Sequence, residues 1–414
     1  MATQVTVQSV PDSGTFAPAL ARLSSIDILR GLVMVIMALD HTRDFLSNSA
    51  AAFDPTDLAH TTPALFFTRW VTHFCAPVFV FLAGTGSYLA LVRGGYDRCA
   101  LARFLATRGL WLIFLEVFVI SPLGWSFSLS FGFTRLQVIW VIGVSMIILA
   151  ALIVVWPSRL IGMAGLVMIL THDIFDGARA AWLGSGQETW KALHGLAFFQ
   201  PFPHKIVASL YPLIPWVGVM MAGYAAGEIM SLQAAGRRRI FLALGGFTTF
   251  LFVALRILNV YGDPAPWSAQ PTPLYTALSF LRCSKYPPSL LYLLMTLGPA
   301  LFALGLLDGS RAGAWLSSRL RVFGRVPLFY YLLHLPLLHV IAILFALLTY
   351  GDASWLFHDL MAPKGLAHPI PSGYGYGLPV VYAVWLSAVV MLYPACKWFG
   401  AVKKKRHEII LRYL

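Results

Sequence analysis

The chain has 414 residues, of which 58% are hydrophobic and only 11% are charged, and its mean hydropathy is +0.74. Soluble globular proteins are about 45–50% apolar and about 25% charged, so this composition excludes a water-soluble domain and indicates a membrane-embedded protein. A formal net charge of +13 is also typical of nucleic-acid binding, but the positions of the basic residues exclude that partner, as described below.

The first residues of the chain form a loose polar segment with Pro11, Ser13, Gly14 and Pro18. Residues 1–20 contain no Lys or Arg and no continuous apolar core, which is not the pattern of a signal peptide. We predict that 1–22 is a flexible tail. The four cysteines show neither a CxxC motif nor a Cys/His spacing typical of metal sites, so we predict no metal.

About twenty mainly apolar residues are needed to cross a bilayer, and ten stretches meet this requirement. The sequence therefore predicts an all-α, polytopic membrane protein with about ten transmembrane helices. The predicted spans are 26–45, 73–92, 104–122, 136–156, 158–174, 207–230, 240–259, 287–308, 323–350 and 377–399.

Lys and Arg are unevenly distributed between the two sets of loops. If the N-terminus is inside, the inner segments contain sixteen of the 30 basic residues and the longer outer loops contain eight. Cytoplasmic loops carry such an excess, so we predict that both termini are cytoplasmic in a multi-pass plasma (inner) membrane protein. Residues 23–400 are predicted to form the transmembrane domain, and 401–414 a basic cytoplasmic tail on anionic headgroups.

The outer end of the first span is unusually polar. Asp40, His41, Arg43 and Asp44 lie within one and a half helical turns, and ionisable groups at membrane depth are costly and often functional. The i,i+3 spacing allows Asp40 to pair with Arg43 and His41 with Asp44. These residues are either interfacial caps or the centre of a site in which an aspartate orients His41.

The second span begins with a similar group at the same predicted depth. Arg69 and His73 are i,i+4 neighbours that flank Trp70, and His60 lies in the preceding outer loop. Convergence of this group with the first would form a site at the outer face. The alternative is a kinked packing helix, with His60 as an ordinary loop residue.

Three further sets of residues are candidates for binding. His334 lies beside Tyr330 in the ninth span, where it either lines a cavity or is a core histidine. The sequence Gly223-x-x-x-Gly227 is more typical of close helix packing than of a site. The remaining candidates are the arginines of the predicted inner face, which could bind phosphate groups or serve topology alone: Arg30, Arg237, Arg238, Arg239 and Arg325.

Several motifs of the chain together resemble a known family. The resemblance is to the catalytic domain of heparan-α-glucosaminide N-acetyltransferases, in its bacterial branch, and extends over nearly the whole chain from residue 22. Its motifs are Ser25–Met34, Met37–Phe45, Arg69–Gly84, Tyr211–Trp216 and Phe323–Pro336.

The resemblance implies a transmembrane acyltransferase. Such an enzyme takes acetyl, or another acyl group, from cytosolic acyl-CoA and delivers it to an amino sugar on the other side of the membrane. In the lysosomal family member the catalytic groups are an Asn near the outer end of the first helix and a His in the next loop. These align with His41 and approximately with His60, so the Asn is replaced here by His.

The predicted site follows from both lines of reasoning. His41, Asp40, Asp44, His73 and His60 are predicted to be catalytic, with a histidine as the general base. Arg43, Arg69, Trp70, His334 and Tyr330 are predicted to bind a small-molecule or glycan acceptor, and the inner arginines to bind acyl-CoA. A transporter or permease, a non-catalytic scaffold or sensor, and a homodimeric state remain open alternatives.

Overall fold

The structure is a computed structural model that describes residues 23–50, 52–177, 184, 186–308, 313–362, 369–406, 408 and 410–413. The predicted tail, 1–22, lies outside the described residues. Helices make up 73% of the protein, as expected for a chain that must satisfy its backbone hydrogen bonds within each membrane span. The all-α, polytopic fold class is thus confirmed.

The helices follow one another along most of the chain. The first half contains α1 (Ser24–Leu46), α2 (Pro63–Thr72), α3 (Cys75–Arg93), α4 (Arg98–Leu115) with a continuing π-helix (Glu116–Ser126), α5 (Val138–Val155), α6 (Ser158–Thr171) with a 3₁₀ extension (His172–Gly177), and α7 (Gln187–His194). The second half contains α8 (Leu213–Met230), α9 (Ala234–Leu258), α10 (Pro273–Leu281), α11 (Leu290–Leu307), α12 (Ala314–Arg325), α13 (Pro327–Tyr350), a 3₁₀ turn (Ser354–Phe357), α14 (Leu378–Lys405) and α15 (Ile410–Tyr413).

Nine helical segments of the described residues are long and apolar enough to cross a membrane, and each coincides with one of the ten predicted spans. The first predicted span is also a helix, α1, but its composition is too charged to qualify. Its charged residues are Asp27, Arg30, Asp40, Arg43 and Asp44. Since α1 is 23 residues long and packs against α2, α3, α11, α12, α13 and α14, we treat it as a span shielded from lipid by its neighbours.

The structure differs from the predicted bounds at three places. A separate helix, α2, ends at Thr72 just before the second predicted span, 73–92, and α3 begins at Cys75. The ninth begins at Pro327, because α12 ends at Arg325. At the C-terminus, α14 continues to Lys405 without a break at residue 400.

A small sheet, which the sequence analysis did not predict, lies between the spans. Its strands are β1 (Phe133–Leu136), β2 (Ala197–Phe202) and β3 (Lys205–Ser209), in the order β1-β3-β2. β3 is parallel to β1 and antiparallel to β2. Through the pairing of β1 with β3, the sheet connects the predicted outer loop before α5 with the one before α8.

Glycines permit close contact between α3 and α8. A Cβ added to Gly84 would lie 2.1 Å from the carbonyl oxygen of Met220, and one added to Gly223 would lie 2.1 Å from that of Phe81. A Cβ on Gly227 would meet the Tyr88 side chain at 2.4 Å. The predicted packing role of Gly223 and Gly227 is therefore confirmed.

The orientation remains a prediction that reporter fusions test directly. Fusions after residues 235 and 315 should report a cytoplasmic position, and a fusion after residue 275 an external one, because the basic loops stay inside. The measurement is the ratio of a reporter active in the cytoplasm to one active outside. A cytoplasmic reading at residue 275 would contradict the predicted order of the spans.

Candidate functional site

The C-terminal end of α1 opens into a cavity of about 480 Å³, which we call the His41 cavity. Its wall is assembled from distant parts of the chain: α1, α2, the π-helix, β1, the segment before α11 and the segment before α14. The polar residues of its lining are Asp40, His41, Arg43, Asp44, Asp54, Arg69, Arg135, Gln137, Tyr211, Lys285, Tyr286 and Tyr374. A volume in the range of small-molecule sites and this lining suit a polar ligand.

His41 forms a hydrogen bond with a second buried histidine. Its Nδ1 lies 2.7 Å from Nε2 of His334, and the other ring nitrogen of His334 lies 2.8 Å from the carbonyl oxygen of Tyr331. A carbonyl oxygen only accepts, so His334 Nδ1 carries a proton. Neutral His334 then accepts at Nε2 from His41 Nδ1–H, which leaves Nε2 of neutral His41 as a free acceptor. This tautomer follows from the hydrogen-bond network.

His41 lines the His41 cavity, and one of its two ring nitrogens, Nε2, is not used in the hydrogen bond with His334. No described residue hydrogen-bonds to Nε2 of His41, and the ring is held edge-on against Trp125 with centroids 5.2 Å apart. An imidazole held in one tautomer with an unused lone pair can act as a base toward a ligand in the cavity.

Next to His41, the carboxylate of Asp40 is the centre of a charge network. Arg69 donates to both oxygens at 2.7 Å, and Arg43 and Thr72 each donate to one oxygen at 2.9 Å. Arg43 also donates to Asp44 at 2.6 Å. The predicted Asp40–Arg43 pair is confirmed.

The structure contradicts the prediction that an aspartate orients His41. The carboxylate of Asp44 accepts a hydrogen bond from Arg43, and that of Asp40 accepts from Arg69, Arg43 and Thr72. Neither carboxylate forms a hydrogen bond with His41 among the described contacts. His334 is the orienting partner instead. It was predicted to bind the acceptor, but its ring is fully buried behind His41 and does not line the His41 cavity.

Three other predicted site residues lie outside both cavities described here. His73 is buried at the end of α2, where its main-chain carbonyl oxygen accepts from the Tyr292 hydroxyl at 2.8 Å. Trp70 donates from Nε1 to the sulfur of Met295 at 3.2 Å. Tyr330 is fully buried with its ring stacked on His334, 5.3 Å between centroids.

His60 lies in the loop between α1 and α2 and is not among the residues that line the His41 cavity. Its side chain is 63% exposed and its Nδ1 lies 2.7 Å from a carboxylate oxygen of Asp57. This hydrogen bond lowers the pKa of Asp57. The ring also contacts Phe53, 5.6 Å between centroids, and Phe53 lines the cavity, so His60 is separated from the cavity by one side chain.

A second cavity, of about 360 Å³, lies beside the N-terminal half of α1, and we call it the Arg30 cavity. Its wall is mainly apolar and comes from α1, α3, α4, α5 and α13. Its polar side chains are Arg30, Ser87, Arg108 and Tyr331. Two guanidinium groups in an apolar cavity favour an elongated ligand with an anionic part.

The other arginines predicted to bind acyl-CoA do not line either cavity. Arg237 is buried and paired with Asp308, with nitrogen–oxygen distances of 2.6 and 2.8 Å. Arg238 and Arg239 are exposed on α9, and Arg325 is half-exposed at the end of α12. Of the five, only Arg30 is a lining residue.

The two cavities share no lining residue, but neighbouring positions of the same elements line one or the other. Met34 and His41 are seven residues apart on α1, a rise of roughly 10 Å, and line the Arg30 and His41 cavities respectively. Of the two consecutive residues Gln137 and Val138, the first lines the His41 cavity and the second lines the Arg30 cavity. On α13, Tyr331 lines the Arg30 cavity one turn from His334, the partner of His41.

Three basic lining residues were not among the predicted site residues. Arg108 lines the Arg30 cavity, and Arg135 and Lys285 line the His41 cavity. Arg108 within a predicted span was a detectable signal, because a buried charge at membrane depth is costly. Lys285 and Arg135 lie in loops, where a basic residue is common and nothing in the sequence distinguishes them.

Comparison with known proteins identifies the family. The sequence profile of the heparan-alpha-glucosaminide N-acetyltransferase catalytic domain matches residues 22–258, more than half of the chain. The match includes α1 and its polar end but stops before the Phe323–Pro336 motif. No curated protein matches the chain.

No group of three His, Cys, Asp or Glu side chains placed to hold a metal occurs among the described residues. The nine apolar helices found among the described residues and the matched profile together make the protein a multi-pass membrane protein of the transmembrane acetyltransferase type. The chain belongs to the heparan-alpha-glucosaminide N-acetyltransferase catalytic family.

Proposed function

We propose that the protein transfers an acyl group, acetyl in the simplest case, from acyl-CoA in the Arg30 cavity to an amine acceptor in the His41 cavity. The Arg30 cavity would face the cytoplasm of a plasma (inner) membrane and the His41 cavity the outside. The observation that carries this proposal is the placement of the hydrogen-bonded His41 and His334 between an apolar cavity with two arginines and a polar, charged cavity.

The Arg30 cavity suits the donor for two reasons. Arg30 and Arg108 provide charge-assisted hydrogen bonds for phosphate groups, while the apolar wall suits the pantetheine arm and the acyl chain. Tyr331 adds a buried hydroxyl group that has no hydrogen-bond partner among the described residues. We assign this hydroxyl to the thioester carbonyl oxygen, whose developing negative charge it would stabilise by donation.

His41 supplies the acid–base chemistry. Its free Nε2 accepts the proton of the acceptor amine while the nitrogen attacks the thioester carbonyl carbon. The carbon–sulfur bond then breaks, and His41 returns the proton to the leaving thiolate. The products are an amide and a free thiol, and His41 ends in its initial protonation state. His334 holds the imidazole in the required tautomer throughout.

Replacement of Arg108 tests the donor site. We expect CoA and acetyl-CoA to stabilise the wild-type protein in a thermal-shift assay, with an effect that decreases as salt screens the arginine–phosphate contacts. Arg108→Met should weaken CoA binding by about tenfold or more, because a charge-assisted hydrogen bond contributes about 1.5–3 kcal/mol. Arg159→Met removes an exposed arginine of α6 and is the matched control.

The arginines of α9 provide a second comparison. Combined replacement of Arg238 and Arg239 tests whether the donor binds there, as the sequence suggested. A larger loss of CoA affinity in this variant than in Arg108→Met would contradict the proposal that the donor binds in the Arg30 cavity. The absence of any stabilisation by CoA or acetyl-CoA would favour a permease.

A further inference from the structure

Lys285 is a buried cation of the His41 cavity. Its side chain is 9% exposed and lines the cavity. The ammonium lies 3.9 Å from the nearest oxygen of Asp40, beyond hydrogen-bond distance, and 5.1 Å from the centre of the Tyr286 ring. No described residue accepts a hydrogen bond from it, so its three N–H donors are available to a ligand.

The other cations that line the cavity are already neutralised. Arg43 and Arg69 donate to Asp40, whose carboxylate also accepts from Thr72. Arg135 is paired with Asp359, to which it donates from two nitrogens. A buried charge is costly unless it is paired and hydrogen-bonded. Lys285 contacts the carboxylate of Asp40 only at 3.9 Å, and no described residue accepts a hydrogen bond from its ammonium.

The turn that carries Lys285 is held in place by several hydrogen bonds. The carboxylate of Asp263 accepts from the backbone N–H of Ser284 at 2.8 Å and from the hydroxyl of Ser289 at 2.7 Å. His172 donates from Nε2 to the carbonyl oxygen of Pro288 at 2.8 Å. The position of the ammonium is therefore prepared before a ligand arrives, which lowers the entropic cost of binding.

We propose that Lys285 binds an anionic group of the acceptor, so that the acceptor is an amine that also carries a carboxylate, sulfate or phosphate. This inference rests on the proposed function for the identity of the acceptor as an amine. The anion would complete the hydrogen bonds of Lys285 while the amine faces Nε2 of His41 in the same cavity. Neutral amino sugars would then be weaker acceptors than their acidic derivatives.

Binding of four amino sugars by the purified full-length protein tests the proposal. The probes are glucosamine, glucosamine 6-sulfate, glucosamine 6-phosphate and muramic acid, and the measurement is isothermal titration calorimetry together with the initial rate of acyl transfer. We expect at least one acidic probe to bind about tenfold or more tightly than glucosamine, the effect of one added charge-assisted hydrogen bond. The tightest probe identifies the anion.

Three variants assign this preference to the ammonium. Lys285→Met should bring the ratio of the affinity for the tightest acidic probe to the affinity for glucosamine close to one. Lys285→Arg keeps the charge and should retain a preference for the acidic probe. Lys191→Met is the matched control, because Lys191 lies on α7, pairs with Glu188 and does not line the cavity. Its ratio should equal that of the wild type.

Two results would overturn the proposal: equal affinity of the wild type for glucosamine and all three acidic probes, or a preference that survives in Lys285→Met. Failure of the proposed function looks different. In that case an acidic probe binds through Lys285 but no acyl group is transferred to any probe.

Discussion

His41→Ala should reduce the rate of acyl transfer by at least about a hundredfold, because removal of a general base usually costs about 10²–10⁴-fold in rate. His41 lines the His41 cavity, and no described residue forms a hydrogen bond with its Nε2. The variant should still insert into the membrane, survive detergent extraction and bind CoA, since the Arg30 cavity is formed by other residues. Initial rates with acetyl-CoA and an amine provide the measurement.

His60→Ala and His73→Ala are the matched histidine controls for this experiment. Both residues were predicted to be catalytic, but His60 is exposed and His73 is buried outside the cavity. We expect both variants to keep transfer rates within a few-fold of the wild type. If His41→Ala is active and His60→Ala is inactive, the catalytic centre lies in the loop. If all three variants keep full activity, a histidine-centred mechanism is wrong.

His334→Leu should lower kcat by about tenfold to a hundredfold with little change in the KM for either substrate. His334 is a positioning residue: it accepts from Nδ1–H of His41 and thereby keeps the other nitrogen unprotonated. Removal of the group that selects a histidine tautomer lowers kcat in hydrolytic triads by even larger factors. The measurement is a full kinetic analysis with both substrates varied.

A conservative variant separates this role from simple packing. The side-chain carbonyl of glutamine accepts a hydrogen bond, so His334→Gln should recover a substantial part of the kcat that His334→Leu loses. Thermal stability with and without CoA identifies any variant that fails to fold. Equal kcat values for the Gln and Leu variants, both folded, would contradict the positioning role.

The spans were predictable because the bilayer imposes a length and an apolar composition on every crossing helix. The first span, 26–45, was also found from sequence as a mainly apolar stretch of sufficient length, although α1 carries five charged residues. The break between α2 and α3 and the sheet formed by β1, β2 and β3 depend on contacts between distant segments, so local patterns did not reveal them.

The site was predictable only where one helix determines the geometry. The i,i+3 spacing correctly paired Asp40 with Arg43. The contact between His41 and His334 joins residues 293 positions apart, and the neutralising partner of Arg135 lies 224 positions away in the chain. Such pairs are products of tertiary packing, which a single sequence does not specify by spacing.

Covalent transfer of a labelled acetyl group across the bilayer is the most direct test of the central claim. Protein in liposomes would receive acetyl-CoA labelled in the acetyl group on the side of the Arg30 cavity and an amino sugar on the other side. We predict that the label becomes amide-bound to the amino sugar in wild-type liposomes, and that His41→Ala liposomes form at most about one hundredth as much. Recovery of the label only as intact acetyl-CoA or free acetate, with the amino sugar unmodified, would contradict acyl transfer.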